Sequence, residues 1–287
     1  MSDRTRTLFL LAPAILVIGG LFLASLALGL VRSFGYLPAI GLTDPTLGAY
    51  RAVLTDPAFL RSLGLTLWIA LASTAIAALI ALGAALLLRQ TFPGRALALF
   101  LFQLNLTIPH IVGAIGILYL FSQSGSFARL AHATHLITTP ADFPALVFDP
   151  YAIGIILTYV WKEVPFIGLI LLARMQTIGA DYEAVARSHG ATRGQAVRHI
   201  LLPLLMPSLI GASALTFAFS FGAYEIPALL GASFPKALPV LAYQSFTDVD
   251  LTSRPEALAM AIVIALIGAV MLAIVFSHQT RTDDADR

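Results

Sequence analysis

Six long runs of apolar residues constrain this chain more than anything else in it. They fall at about 8–31, 63–88, 96–121, 151–173, 204–222 and 257–277. A helix needs about 20 residues to cross a hydrocarbon core. The apolar residues come in blocks rather than at the spacing of a half-buried helix or strand, which points to an integral membrane protein. Composition agrees: 59% of the chain is hydrophobic and 11% charged, where a soluble domain carries roughly a quarter charged residues. Gly and Ala are frequent and period-two alternation is absent, so the spans read as helices. The expected fold class is an all-α integral membrane protein with six transmembrane helices, organised as one membrane domain over 1–287. The first run, Leu8 to Val31, is too long for a signal-peptide core and lacks a clear small-residue cleavage site, so it reads as a retained span.

An even number of spans puts both termini on one side, and the positive-inside rule selects it. With the termini inside, the inner segments hold Arg4, Arg6, Arg89, Arg95, Arg174, Arg187, Arg193, Arg198, Arg281 and Arg287, ten in all. The outer segments hold six: Arg32, Arg51, Arg61, Arg129, Lys236 and Arg254. Both termini are therefore expected in the cytoplasm. The outer loops, about 32–62, 122–150 and 223–256, contain Pro, Gly and short apolar stretches, which predicts short surface helices. The tail from Thr280 to Arg287 is polar and expected to fray.

Several function classes are excluded. A formal charge of +2 is too small to imply nucleic acid. Without cysteine there are no disulfides, thiol catalysis or Cys-ligated metals. No G-x-x-x-x-G-K is present, because Lys162 follows Trp161 and Lys236 follows Pro235, so this chain cradles no nucleotide through a P-loop. Neither H-E-x-x-H nor G-x-S-x-G occurs. His132 and His135 lie three apart in an outer loop and read as a solvated pair rather than a metal site. No catalytic residues, metal site or cofactor are expected on this chain.

The polar exception is the inner segment 181–203. It reads as helix, turn, helix. Asp181 can cap the first helix, with Glu183 in its positive first turn. Ala184, Val185 and Ala186 are small enough for another surface to approach closely. Gly190 is where the helix would stop in a left-handed cap. A second helix carries Arg193, Arg198 and His199, and Pro203 and Pro207 mark the entry to the fifth span.

This stretch resembles the cytoplasmic signature of permease subunits of binding-protein-dependent ABC importers: Glu-Ala-Ala, then Gly-Ala, then Ile-x-Leu-Pro. Gly190-Ala191 leads to Ile200 ten residues on and to Pro203 thirteen residues on, the family spacing. The place usually taken by Glu is Ala184, and Glu183 stands one residue earlier, about 100° around the helix. Trp161…Pro165, Ser220-Phe221-Gly222, Pro227 and Leu230-Gly231 also look like this family, so the resemblance runs from about residue 60 to the end. It implies a type I importer permease domain with a coupling helix between spans 4 and 5. Glu183, Ala184, Ala186, Gly190, Ala191, Ile200 and Pro203 would then meet a cytoplasmic ATPase. The implied partners are ABC ATPase subunits carrying ATP and Mg, a second permease (homologous or identical), a periplasmic or lipid-anchored solute-binding protein, and membrane lipid. The implied location is a bacterial inner membrane.

Polar groups inside the spans are candidates for a translocation path, because ionisable side chains there are costly. Lys162 and Glu163 lie about eleven residues into the fourth span, close to mid-membrane at about 1.5 Å per residue. Asn105 and His110 flank Pro109, which frees a backbone carbonyl and can kink the third span. Ser220, Tyr224 and Glu225 end the fifth. The segments Phe217–Gly231 and 253–257 resemble the spermidine/putrescine branch most. A polyamine-like or 2-aminoethylphosphonate-like solute is therefore expected, with Glu225 meeting its amine. The alternative is a secondary transporter driven by ions through Lys162, Glu163 and Glu225.

Overall fold

The structure, a computed structural model, describes residues 3–178 and 181–285. The expected cap by Asp181 lies outside the described side chains. Among the described residues the regular structure is helical, apart from one isolated bridge between Leu37 and Leu42. Helices α1 (Asp3–Ala14) and α2 (Gly20–Ser33) join through a π-helical turn, Ile15–Gly19. They are followed by α3 (Gly48–Thr55), α4 (Pro57–Leu88), α5 (Arg95–Thr107), α6 (His110–Phe121), α7 (Ser126–Ala133) and α8 (Ile153–Ile178). After these come α9 (Asp181–Ser188), α10 (Arg193–Ala196), α11 (Leu202–Gly222), α12 (Glu225–Leu230), α13 (Leu238–Thr247) and α14 (Arg254–Ala285). Six helical stretches are long and apolar enough to cross a membrane: Thr5–Ser33, Pro57–Leu88, His110–Ala133, Ile153–Ile178, Arg193–Gly222 and Leu251–Val275. Helix α14 continues to Ala285, through most of the tail expected to fray.

Two stretches differ from the sequence reading for physical reasons. The run at 96–121, the expected third span, is two helices, not one, and the stretch long and apolar enough to cross begins only at His110. Pro109 has no N–H and its ring disfavours helical backbone in the residue before it. Ile108 is accordingly extended (φ −80°, ψ 124°), as is Pro109 (φ −57°, ψ 144°). The fifth span is longer than expected. Arg193–Gly222 is one continuous helix of 30 residues, so the second inner helix and the span are a single element. Its turn at Val197–Leu201 is π-helical: the Leu202 N–H reaches back five residues to the Val197 carbonyl. This wider turn stands directly before Pro203, which has no N–H to give.

The chain forms two compact units, Met1–Leu60 with Leu238–Ala265, and Arg61–Ala237 with Leu266–Arg287. In the first, none of the most apolar window of Thr5–Ser33 is buried, leaving its side chains to lipid or to another chain. Where α2 ends, the Ser33 and Tyr50 hydroxyls share a hydrogen bond of 2.7 Å, and the Phe34 and Tyr50 rings lie 5.3 Å apart. At the start of α14 the Arg254 guanidinium sits 5.4 Å over the Phe246 ring.

In the second unit α8 is central: 61% of its apolar window is buried, against 33% for α4. Lipid gives little hydrophobic drive between helices, so small residues that let backbones approach carry the packing. Ala77, Ala81 and Ala85 repeat every four residues on α4 and are fully buried in a cluster with Ile167, Leu171, Met175, Leu201 and Leu205. Gly168 admits the Phe102 ring where a Cβ would come within 2.6 Å of it. The loop before α8 is self-capped. Asp142 accepts from the Thr139 N–H and from the hydroxyl and N–H of Thr138, which hold its carboxylate down to about 2.

Helix α12 ends in a tight turn. The Gly231 N–H bonds the Pro227 carbonyl at 2.9 Å, and the Phe148 N–H bonds the Leu230 carbonyl at 3.0 Å. A Cβ on Gly231 would stand 2.5 Å from that Pro227 oxygen, which is backbone and cannot move aside. Gly231→Ala should therefore destabilise the chain by about 1–3 kcal/mol, read as a lower midpoint of thermal unfolding in detergent.

Candidate functional site: a coupling segment and a membrane cavity

The inner segment folds as a short helix with a defined stop. Gly190 has φ +89°, a conformation that a side chain disfavours. The Ala191 N–H bonds the Ala186 carbonyl at 3.1 Å and the Gly190 N–H bonds the Arg187 carbonyl at 3.0 Å, the paired bonds of a Schellman cap. Thr192 then starts the next helix. Its hydroxyl accepts from the Gln195 N–H, and the Gln195 side chain accepts from the Thr192 N–H at 2.8 Å. This capping box is written in the sequence as Thr-x-x-Gln.

Helix α9 has two faces. Glu183 and Ala186, three residues apart, are half-buried. Glu183 is bound by both terminal nitrogens of Arg89, the residue after α4, in a bidentate ion pair. Ala184 is exposed beside Tyr182 at 57% and Val185 at 59%. The carboxylate expected to grip a partner is thus engaged within the chain, while Tyr182, Ala184 and Val185 face outward. Sequence reading named Val185 with Ala184 and Ala186 as a small, approachable face and passed over Tyr182. The signal for Tyr182 was an aromatic ring three residues before Val185 on a short polar helix. Ala191 and Ile200 are half-buried and Pro203 is exposed.

A cavity of about 310 Å³ opens at the other end of Arg193–Gly222, lined by His110, Phe219, Ala223, Tyr224, Glu225 and Ile226. The His110 and Phe219 rings lie 4.9 Å apart, and Tyr159 meets Phe219 edge-on at 6.4 Å. His110 Nε2 is 3.4 Å from the Glu163 carboxylate, whose side chain is 9% exposed. Of the residues read as path candidates, His110, Tyr224 and Glu225 line this cavity, and Glu163 reaches it through His110. Ser220 is buried, and its hydroxyl has no hydrogen-bond partner among the described residues. Phe219 and Ala223 were not singled out from sequence, where an apolar lining group looks like any other residue of a span.

Lys162 and Asn105 come together elsewhere. Lys162 is 3% exposed, and its amino group donates to the carbonyls of Asn105 and Ile108, both at 2.6 Å. The Asn105 side-chain amide donates to the Trp161 carbonyl. Both contacts sit at the break between α5 and α6.

Comparison with known proteins matches residues 77–284 to the family described as binding-protein-dependent transport system inner membrane component. The molybdenum transport system permease protein ModB of Mycobacterium tuberculosis is 30% identical over 77% of this chain and 80% of its own length. The sulfate transport system permease protein CysT of Salmonella typhimurium is 27% identical over 84% of this chain and 83% of its own. Among solved structures, a chain of a bacterial ABC transporter involved in the import of the acidic polysaccharide alginate superposes with a TM-score of 0.78. It covers 97% of this chain and 96% of that one at 17% identity, a likeness of fold.

The Arg89–Glu183 pair gives a direct test. Each side chain is about a quarter exposed, so the pair should contribute on the order of 1 kcal/mol. Glu183→Arg should lower the thermal midpoint by placing two cations together, and adding Arg89→Glu should restore most of it. Equal midpoints for the single and the double variant would show that the pair contributes nothing.

Proposed function

Because this chain belongs to the inner membrane components of binding-protein-dependent transport systems, we propose that it works as a mechanical link between a cytoplasmic ATPase and a solute path. As a transport subunit of this family it is not itself an enzyme. The observation that carries the reading is the continuity of Arg193–Gly222. This helix runs from the turn after α9 to the cavity lining at Phe219, Ala223 and Tyr224. Thirty residues make a rod of about 45 Å. A push on α9 at one end displaces the lining at the other, because a helix is stiff along its axis and packed interfaces shift between discrete arrangements.

In this reading both termini and α9 lie in the cytoplasm. Tyr182, Ala184 and Val185 enter a groove of an ABC ATPase subunit, which carries ATP and Mg. Glu183 fixes the angle of α9 through Arg89, and Ala186, Gly190 and Ala191 give the helix its close-packed, sharply ended form. Ile200 and Pro203 begin the rod. A second permease chain, a copy or a homologue, completes the path, and a solute-binding protein delivers solute from outside. Family membership removes the ground for a self-sufficient ion-driven transporter.

For the solute we propose a small molecule bearing an amine, polyamine-like or 2-aminoethylphosphonate-like. Glu225, Tyr224 and Phe219 line the cavity with His110, and neither Lys nor Arg is in the lining. A carboxylate with aromatic faces suits a cation. The molybdenum and sulfate systems of the relatives imply oxyanions as the rival class, and an oxyanion would find one nitrogen-bearing side chain there.

Two measurements check these assignments in liposomes holding the chain with its ATPase, second permease and binding protein. Tyr182→Asp with Val185→Asp should reduce ATPase association at least about tenfold, the equivalent of 1.4 kcal/mol, while leaving the chain inserted. Unchanged association rules out α9 as the docking element. Glu225→Gln should lower uptake of labelled putrescine or 2-aminoethylphosphonate about tenfold. Uptake of sulfate or molybdate in their place overturns the amine assignment, and uptake without the ATPase overturns the importer reading.

A further inference from the structure

Two prolines in adjacent spans each leave a carbonyl without its helical donor, and two side chains stand where those donors are missing. In an α-helix the N–H of residue i bonds the carbonyl of i−4. The donor for the Trp161 carbonyl would be residue 165, which is Pro165 inside α8. The Asn105 side-chain amide donates to that carbonyl instead. The donor for the Asn105 carbonyl would be residue 109, which is Pro109. Lys162 Nζ donates there at 2.6 Å, beside a tightened bond from the Ile108 N–H at 3.2 Å. The donor for the Ile108 carbonyl would be the Val112 N–H, which has turned to Pro109 at 3.1 Å. Lys162 supplies that bond too, at 2.6 Å. The Leu104 carbonyl, left when Ile108 turned to Asn105, accepts from the Thr107 hydroxyl at 2.7 Å.

We propose that Asn105 and Lys162 form a reciprocal clamp in which each satisfies the carbonyl freed by a proline on the other's span, and that Lys162 is thereby a positioning residue that keeps the third span broken at Pro109. An unmet carbonyl in hydrocarbon costs several kcal/mol, so a break at this depth stands only where donors arrive from elsewhere. The surroundings fit a fixed joint. Asn105 and Lys162 are both buried, and Gly113 lets the Trp161 ring and the Lys162 stem pack against α6 where a Cβ would meet that ring at 2.8 Å. The consequence for transport is positional: the break starts α6 at His110, a residue of the cavity lining. Only that consequence rests on the cavity being the solute path; the clamp stands on the backbone alone.

The test is a pair of double-mutant cycles on the full chain in detergent, read as thermal midpoints and needing no solute. Lys162→Met should lower the midpoint on the order of 5–10 °C. Lys162→Arg, which keeps donors for two carbonyls, should lower it by less than half as much. Adding Pro109→Ala to Lys162→Met should recover at least half of the loss, because residue 109 again offers an N–H to Asn105. Asn105→Leu should likewise be rescued by Pro165→Ala. Where Lys162→Met alone fails to accumulate in the membrane, its accumulation once Pro109→Ala is added is the same result. Additive losses in both cycles, or failure of single and double variants alike, overturn the clamp. In a separate uptake assay, normal transport by the rescued double variant would leave the clamp standing and show that the break does not set the path through its placement of His110.

Discussion

A chain that crosses hydrocarbon must satisfy every backbone donor and acceptor from within, and the rest of this structure depends on how that is met. Unbroken helices meet it by themselves, so most of the spans need little more than apolar side chains and small residues for packing. The demanding places are where the ladder stops. In the run at 96–121 that happens at Ile108–Pro109, where Asn105 and Lys162 meet the freed carbonyls. Buried polarity here follows from backbone geometry first. Its bearing on the proposed solute path comes second, through where the break places His110.

The fifth span shows the opposite use of proline. Pro203 and Pro207 lie within a helix that nevertheless stays continuous from Arg193 to Gly222. The π-helical turn at Val197–Leu201, with one bond spanning five residues, stands directly before Pro203. Pro109 therefore makes a joint, while Pro203 leaves a rod. The difference lies in the neighbours. Extended backbone at Ile108 turns the chain away from helical geometry before the proline, whereas Leu202 remains helical before Pro203 (φ −58°, ψ −50°). The proposed coupling of α9 to the cavity uses one of each: a stiff element to transmit force and a discontinuity that can respond.

Much of this was legible in the sequence and some was not. The helical membrane class and the stop at Gly190 follow from local signals, run length and a glycine after a polar helix, because both are decided by near neighbours. Pro109 signalled disruption of the third span but not its form. Whether a proline kinks a helix or divides it depends on which donors arrive from other spans. Glu183 carried a local role as a first-turn acid, and its partner Arg89 is 94 residues away, beyond any periodicity argument. Lys162 and Glu163 were recognisable as costly mid-membrane groups, but whether they face a cavity or a carbonyl depends on helix rotation. Tyr182 and Val185 acquire meaning only once the pairing of Glu183 fixes which side of α9 faces out.

That rotation explains why two adjacent ionisable residues serve different ends. Neighbours on a helix point about 100° apart, so Lys162 and Glu163 reach opposite sides of the Pro109 break. Lys162 meets the carbonyl end of α5, where donors belong, and Glu163 meets the first residue of α6, at the amide end, where an acid belongs. The contacts differ in strength. Two bonds of 2.6 Å hold the last turn of α5 and the following Ile108 to α8, whereas His110 stands 3.4 Å from Glu163 with a side chain 34% exposed. The first half of the third span is therefore anchored to the central helix. The second half packs on the same helix at Gly113 and begins at the cavity wall with His110. On the proposed function, the contact between His110 and Glu163 is the one that can be exchanged without freeing a carbonyl, whereas the contacts of Lys162 cannot.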